Sequence, residues 1–140
     1  MQMANNVLRI PSKTSDAFFK YWVMFLKPFH KLTDREIDIV ACFLKHRHEL
    51  SKVIKDPDIL DRVTLEEVTR KKVMQECNIT LSYFTVLLSK LRKRQIIVDG
   101  RINPRFIPNI REDEKNFQLL LLFNNFDYKD GIQANNKEGS

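Results

Sequence analysis

The segment from Asn78 to Gly100 constrains this chain more than any other. Asn78-Ile79-Thr80 reads as a turn. Asn tolerates the left-handed conformation that ends many helices, Ile79 can plug the turn, and Thr80 can cap the next helix by accepting a free backbone N–H. From Leu81 to Gln95, Phe84, Leu88 and Leu91 fall at the i, i+4, i+7 spacing of one helical face, which predicts a helix about four turns long. Ile96-Ile97-Val98 is β-branched and predicts a short strand. Asp99-Gly100 is a strong hairpin turn, and Arg101-Ile102 starts a return strand that Pro104 cuts short.

Upstream, residues 1–14 are polar and irregular, with Pro11 as a breaker, and are expected to form a flexible N-terminal segment. Ser15 can cap a helix whose first-turn Asp16 suits the positive helix end. Phe18, Trp22, Phe25 and Phe29 then share one face, widened by Phe19, Val23 and Leu26. Pro28 is expected to end or kink that helix near Lys27. Such an aromatic stripe is ordinarily core, but its width leaves room for a dimer or partner surface. Thr33 and Glu36 form a capping box for a helix running to about Leu50, with Ile37, Val40, Ala41 and Leu44 inward. Residues 52–61 read as a connection with a short helical turn, broken at Asp56-Pro57. Thr64 and Glu67 predict a second capping box, opening a helix over Leu65 to Glu76 with Leu65, Val68, Val73 and Met74 inward. Downstream, the apolar run 117–123 fits either a buried strand or a helix; Asn124-Asn125 stops it early and tips the reading toward a strand. Residues 127–140 are expected to be a disordered tail, which leaves 15–126 as the folded domain.

The 140 residues are 43% hydrophobic and include ten Phe, enough for a core, while only three Gly favour helices over a turn-rich β fold. The net charge is +6. From Glu112 onward six acidic residues outnumber three basic ones, so residues 1–111 carry +9. A basic body suits a polyanionic partner, although a solvated lysine-rich surface has the same composition. No apolar run is long enough to span a membrane and no signal peptide is legible, so a cytoplasmic protein is expected. Cys42 and Cys77, 35 positions apart, give neither a disulfide framework nor a metal pattern and read as small buried thiols. His46 and His48 fall on different helix faces and make poor joint metal ligands. No phosphate loop, nucleophile elbow or carboxylate–histidine pair is identifiable, and Glu66-Glu67 is explained as helix-start charge. No catalytic residue, metal or cofactor is therefore expected.

Residues 33–108 resemble the winged helix-turn-helix superfamily, in its MarR-like and small phage or plasmid replication-regulator branches. Asn78-Ile79-Thr80 stands where the family turn has Gly-Ile-Ser, and Phe84, Leu88 and Leu91 match the buried side of its recognition helix. Gln95-Ile96-Ile97 matches the Gly-Leu-Ile exit but lacks its Gly. Asp99-Gly100 matches the wing turn and Ile102-Asn103-Pro104 the wing exit. The resemblance implies a mainly α fold with a small β-hairpin wing, here with an extra aromatic N-terminal helix. It implies double-stranded DNA as partner, a homodimer with that helix as candidate interface, and a role in transcription or replication. The exposed face of the recognition helix would be Leu81, Ser82, Tyr83, Thr85, Val86 and Ser89. Ser82, Tyr83 and Thr85 could meet phosphates or base edges, and Val86 a thymine methyl. Arg and Asn, which make bidentate base contacts, are missing from this face. The basic groups lie around it: Arg70, Lys71 and Lys72 before the turn, Lys90, Arg92, Lys93 and Arg94 at the helix end, Arg101 and Arg105 on the wing. That distribution suits phosphate contacts, although Lys93 and Arg94 also suit a helix C-terminus. The apolar character of Leu81, Val86 and Leu87 supports the alternative, a protein-interaction or phage virion assembly module on the same fold.

Overall fold

The computed structural model describes residues 15–110. Six helices come first: α1 (Ser15–Phe25), α2 (Lys27–His30), α3 (Asp34–Leu50), α4 (Pro57–Thr64), α5 (Glu67–Cys77) and α6 (Leu81–Lys93). The strands β1 (Ile97–Val98) and β2 (Arg101–Ile102) follow, then a 3₁₀ turn over Pro104–Phe106. The chain divides after Pro108 into two compact units, and all these elements belong to the first. The expected N-terminal segment 1–14, the run 117–123, the domain end at 126 and the tail 127–140 lie outside the described residues, as do the side chains of Ser15 and Asp16.

The helix α3 is the central element, packed by α1, α4 and α5. Its start is the expected capping box. Thr33 Oγ1 accepts from the Glu36 N–H at 3.3 Å, and Glu36 Oε1 accepts from the Thr33 N–H at 2.8 Å. Because three helices cover it, α3 buries Ile39 as well as the expected Ile37, Val40, Ala41 and Leu44 and the adjoining Phe43. Glu36 is also fully buried, and its Oε1 accepts a second bond at 2.9 Å from Arg94 beyond the end of α6.

Four sequence expectations change. First, the buried side of α1 is Phe19 and Val23, whereas Phe25 is 46% and Phe29 76% exposed. The packing against α3 selects the widening residues instead of the predicted stripe, because both sides of this helix are apolar and periodicity alone cannot choose between them. The break before Pro28 occurs as expected, at Leu26. Second, the connection 52–61 holds the start of an eight-residue helix, α4, capped by Asp56 with Pro57 in its first turn. Third, Thr64 caps nothing. It is buried in the last turn of α4, where its hydroxyl donates to the Leu60 carbonyl at 2.7 Å. The next helix starts at Glu67 without a side-chain cap. Fourth, this shifts the phase of α5, so that Thr69 and Val73 are buried, Leu65 and Met74 half-buried, and Val68 exposed at 68%.

The segment from Asn78 onward follows the expectation closely. Asn78 takes the left-handed conformation at φ 54°, and the Asn78 and Ile79 N–H groups bond back to Gln75 and Met74, closing the end of α5. Thr80 caps α6 by accepting from the Tyr83 N–H. Phe84 packs near Phe43 of α3 with ring centroids 6.2 Å apart, and Leu88 and Leu91 are buried. Beyond α6, β1 and β2 pair antiparallel, Ile97 opposite Ile102, around Asp99 and Gly100 at φ 55° and 73°. Two successive positive φ values define the type I′ turn that matches strand twist. The result is a mainly helical unit ending in a two-stranded antiparallel hairpin, compatible with a winged helix-turn-helix.

Candidate nucleic-acid interface

The outward side of α6 is set by what its inward side must bury. With Phe84, Leu87, Leu88 and Leu91 in the core, helical geometry turns Leu81, Ser82, Tyr83, Thr85, Val86 and Ser89 outward, and all six are exposed. Leu87, expected with the outward apolar residues, is only 2% exposed and belongs to the core. It sits next to Leu88 and three residues beyond Phe84, so it widens the buried stripe. Thr85 turns its hydroxyl hydrogen back onto the Leu81 carbonyl at 2.9 Å, leaving the oxygen to face solvent as an acceptor.

The nominated cations divide by partner. Arg94 donates to Glu36 Oε1 at 2.9 Å and to the Lys31 carbonyl at 3.1 Å. Arg101 lies 3.3 Å from Asp58 and 3.7 Å from Asp61, both on α4. Lys71 pairs with Glu67 one helical turn back, at 3.4 Å. Among the described residues, no carboxylate lies within ion-pair distance of Arg70, Lys72, Lys90, Arg92, Lys93 or Arg105. Lys90, Arg92 and Lys93 occupy the last turn of α6, and Arg105 the 3₁₀ turn after the hairpin; all four are exposed. Among the described residues, the structure thus keeps cations without carboxylate partners at the C-terminal end of α6 and past the hairpin, and ties Arg94 and Arg101 into the fold.

A second group of reactive side chains escaped the sequence reading. Cys42 and His46 stand one turn apart on α3, and Glu76 and Cys77 close α5. Glu76 Oε1 lies 3.2 Å from Cys42 Sγ and 2.6 Å from Lys45 Nζ; Oε2 lies 3.1 Å from His46 Nε2. The two thiols also meet. Cys77 together with burial pushes the Cys42 thiol well up, and the same contact holds the Cys77 thiol below the ordinary cysteine range. Burial works to raise the Glu76 carboxyl, but hydrogen bonds from Lys45 and Cys42 and the His46 charge leave it lowered. The signal for it in the sequence is the Cys42-x-x-x-His46 spacing, which sets both groups on one side of α3.

No protein-family model matches this sequence, and neither the curated proteins nor the solved structures yield a match. Among the described residues, no helix is long and apolar enough to cross a membrane.

Proposed function

We propose that this chain is a DNA-binding winged-helix protein, a regulator of transcription or replication of phage, plasmid or bacterial origin. In this reading α6 enters the major groove and the hairpin wing lies along the backbone. The observation that carries it is the exposed set of cations without carboxylate partners, Lys90, Arg92, Lys93 and Arg105, beside the outward face of α6. Those side chains suit phosphates, which give affinity and register; Ser82, Tyr83, Thr85, Val86 and Ser89 offer only weak base discrimination. Binding is therefore expected to be strong at low salt and tolerant of sequence. Fluorescence anisotropy with random and genomic duplexes tests this. Each neutralised phosphate contributes a slope of about −0.9 in log affinity against log salt, so Arg92→Ala with Lys93→Ala should flatten that slope by about 2. Absence of binding to any duplex at low salt would sink the proposal. The homodimer belongs to the same reading, with the outward residues of α1 and α2, Tyr21, Met24, Phe25 and Phe29, as its surface; sizing of the free protein checks it.

One observation favours the second reading, a protein-interaction or phage assembly module. Leu81 is 66% and Val86 49% exposed on the same face, with Val68 exposed on α5. Leu81→Asp and Val86→Asp would abolish capture of a protein partner, whereas phosphate-dominated DNA binding would weaken only by the added negative charge.

A further inference from the structure

Cys42, His46 and Glu76 bring three metal-ligating groups together from two helices distant in sequence, with donor atoms all within 4.8 Å of one another. A tetrahedral zinc ion with bonds of about 2.0 to 2.3 Å holds its ligand atoms roughly 3.3 to 3.7 Å apart. The Glu76 carboxylate lies between the other two donors, with Oε1 3.2 Å from Cys42 Sγ and Oε2 3.1 Å from His46 Nε2, so a small rotation of the carboxylate sets one oxygen at that spacing. We propose that Cys42, His46 and Glu76 form a binding site for a zinc ion that ties α3 to α5.

The chemistry of the donors selects the ion. A thiolate and an imidazole favour a borderline-soft divalent metal and disfavour magnesium or calcium, which take all-oxygen shells. The elements hold the donors close enough that small side-chain movements bring them to one ion. Cys42 and His46 share one face of α3, packed against α5, and Glu76 stands in the last turn of α5, which Arg35 of α3 ties down by donating to the Cys77 carbonyl. Lys45 is placed as an outer partner: from 2.6 Å it steadies the Glu76 carboxylate, as ligating carboxylates are commonly steadied by a hydrogen bond. Glu76 has a 41% exposed side chain, so the ion can enter from solvent and water can take the fourth position. On binding, the Cys42 S–H bond breaks, the sulfur electron pair goes to zinc, and the proton leaves to solvent; no oxidant or reductant takes part.

The test uses the reduced full chain, stripped with chelator and titrated with zinc alone. One equivalent should bind and raise the melting temperature. Cobalt in place of zinc should give a thiolate-to-metal charge-transfer band. Cys42→Ser should abolish that band, and His46→Gln and Glu76→Gln should each weaken zinc binding at least about tenfold, the smaller effect seen when even outer partners are removed. Cys77→Ser should keep both the band and the stoichiometry. Far-UV circular dichroism confirms that each variant folds. The proposal is overturned by failure of the wild type to take zinc, by a cobalt band that survives Cys42→Ser or is lost in Cys77→Ser, or by zinc affinity indifferent to His46 and Glu76. It is equally overturned if peroxide converts Cys42 and Cys77 to a disulfide at the same rate with and without saturating zinc.

Discussion

Gln95 occupies a position that most side chains avoid. At φ 61° it is left-handed, directly after the α6 C-cap, and its N–H bonds to the Arg92 carbonyl while that of Ile96 bonds to Leu91. This is the Schellman closure, with buried Ile96 and Leu91 as its accompanying apolar pair. Glycine adopts this conformation freely, whereas a residue with a Cβ is strained by roughly 1 kcal/mol. Gln95→Gly is therefore expected to stabilise the protein slightly, by up to about 0.5 kcal/mol, read as a higher urea midpoint at unchanged slope. The gain is net of the extra freedom that glycine gives the unfolded chain. The resemblance had placed a Gly here, and the backbone keeps the conformation although the residue differs. A different single residue, His30, shows how a buried imidazole can be wholly structural. Its Nε2–H donates to the Val23 carbonyl at 2.9 Å, and its Nδ1 accepts from the Leu32 N–H at 3.0 Å, which is one neutral tautomer with both ring nitrogens satisfied.

Among the elements, the hairpin is held by α4 as much as by its own short ladder. Asp61 receives two hydrogen bonds from Arg47 of α3, at 2.9 and 3.2 Å, and lies 3.7 Å from Arg101 of β2. One carboxylate thus joins α3, α4 and the hairpin. Asp61→Ala should destabilise by about 1 to 3 kcal/mol, since it leaves Arg47, whose side chain is only 20% exposed, without its partner. It should also loosen the hairpin, seen as faster amide exchange at Asn103, whose N–H bonds to the Ile96 carbonyl across the ladder. The elements legible in the sequence are those fixed by local chemistry. The Thr33–Glu36 box, the left-handed Asn78, the Thr80 cap and the Asp99-Gly100 turn each depend on residues within a few positions of one another. The illegible parts depend on tertiary packing. Thr64 and Glu67 have capping-box spacing, yet burial draws Thr64 into α4. The face of α1 is chosen by α3 from two apolar candidates. On the candidate interface, the outward residues of α6 followed from its periodicity, but the sequence could not show that Arg94 and Arg101 would be claimed by Glu36, Asp58 and Asp61. The Cys42–His46–Glu76 cluster likewise needs α3 and α5 packed together before it exists.

Across the whole molecule, charge and connectivity are arranged separately. Acidic residues of α3, α4 and α5 neutralise the cations that hold helices together, and among the described residues Lys90, Arg92, Lys93 and Arg105 are left without such partners at the end of α6 and after the hairpin. High salt should consequently weaken anything bound at that rim well before it weakens the fold. The chain ends of the described unit are joined by a different kind of bond: the indole N–H of Trp22, on α1, donates to the Phe106 carbonyl at 2.8 Å, across 84 positions of sequence. Phe106 also lies near His30, with ring centroids 6.1 Å apart. Trp22 is the only tryptophan in the sequence. Its emission is therefore a built-in optical gauge of whether the first helix remains docked on the segment that follows the hairpin. If the unit unfolds as one cooperative body, the emission should shift to the red in step with the loss of helical circular dichroism. A fluorescence transition that precedes the dichroism would show the aromatic helix parting first from the segment that follows the hairpin.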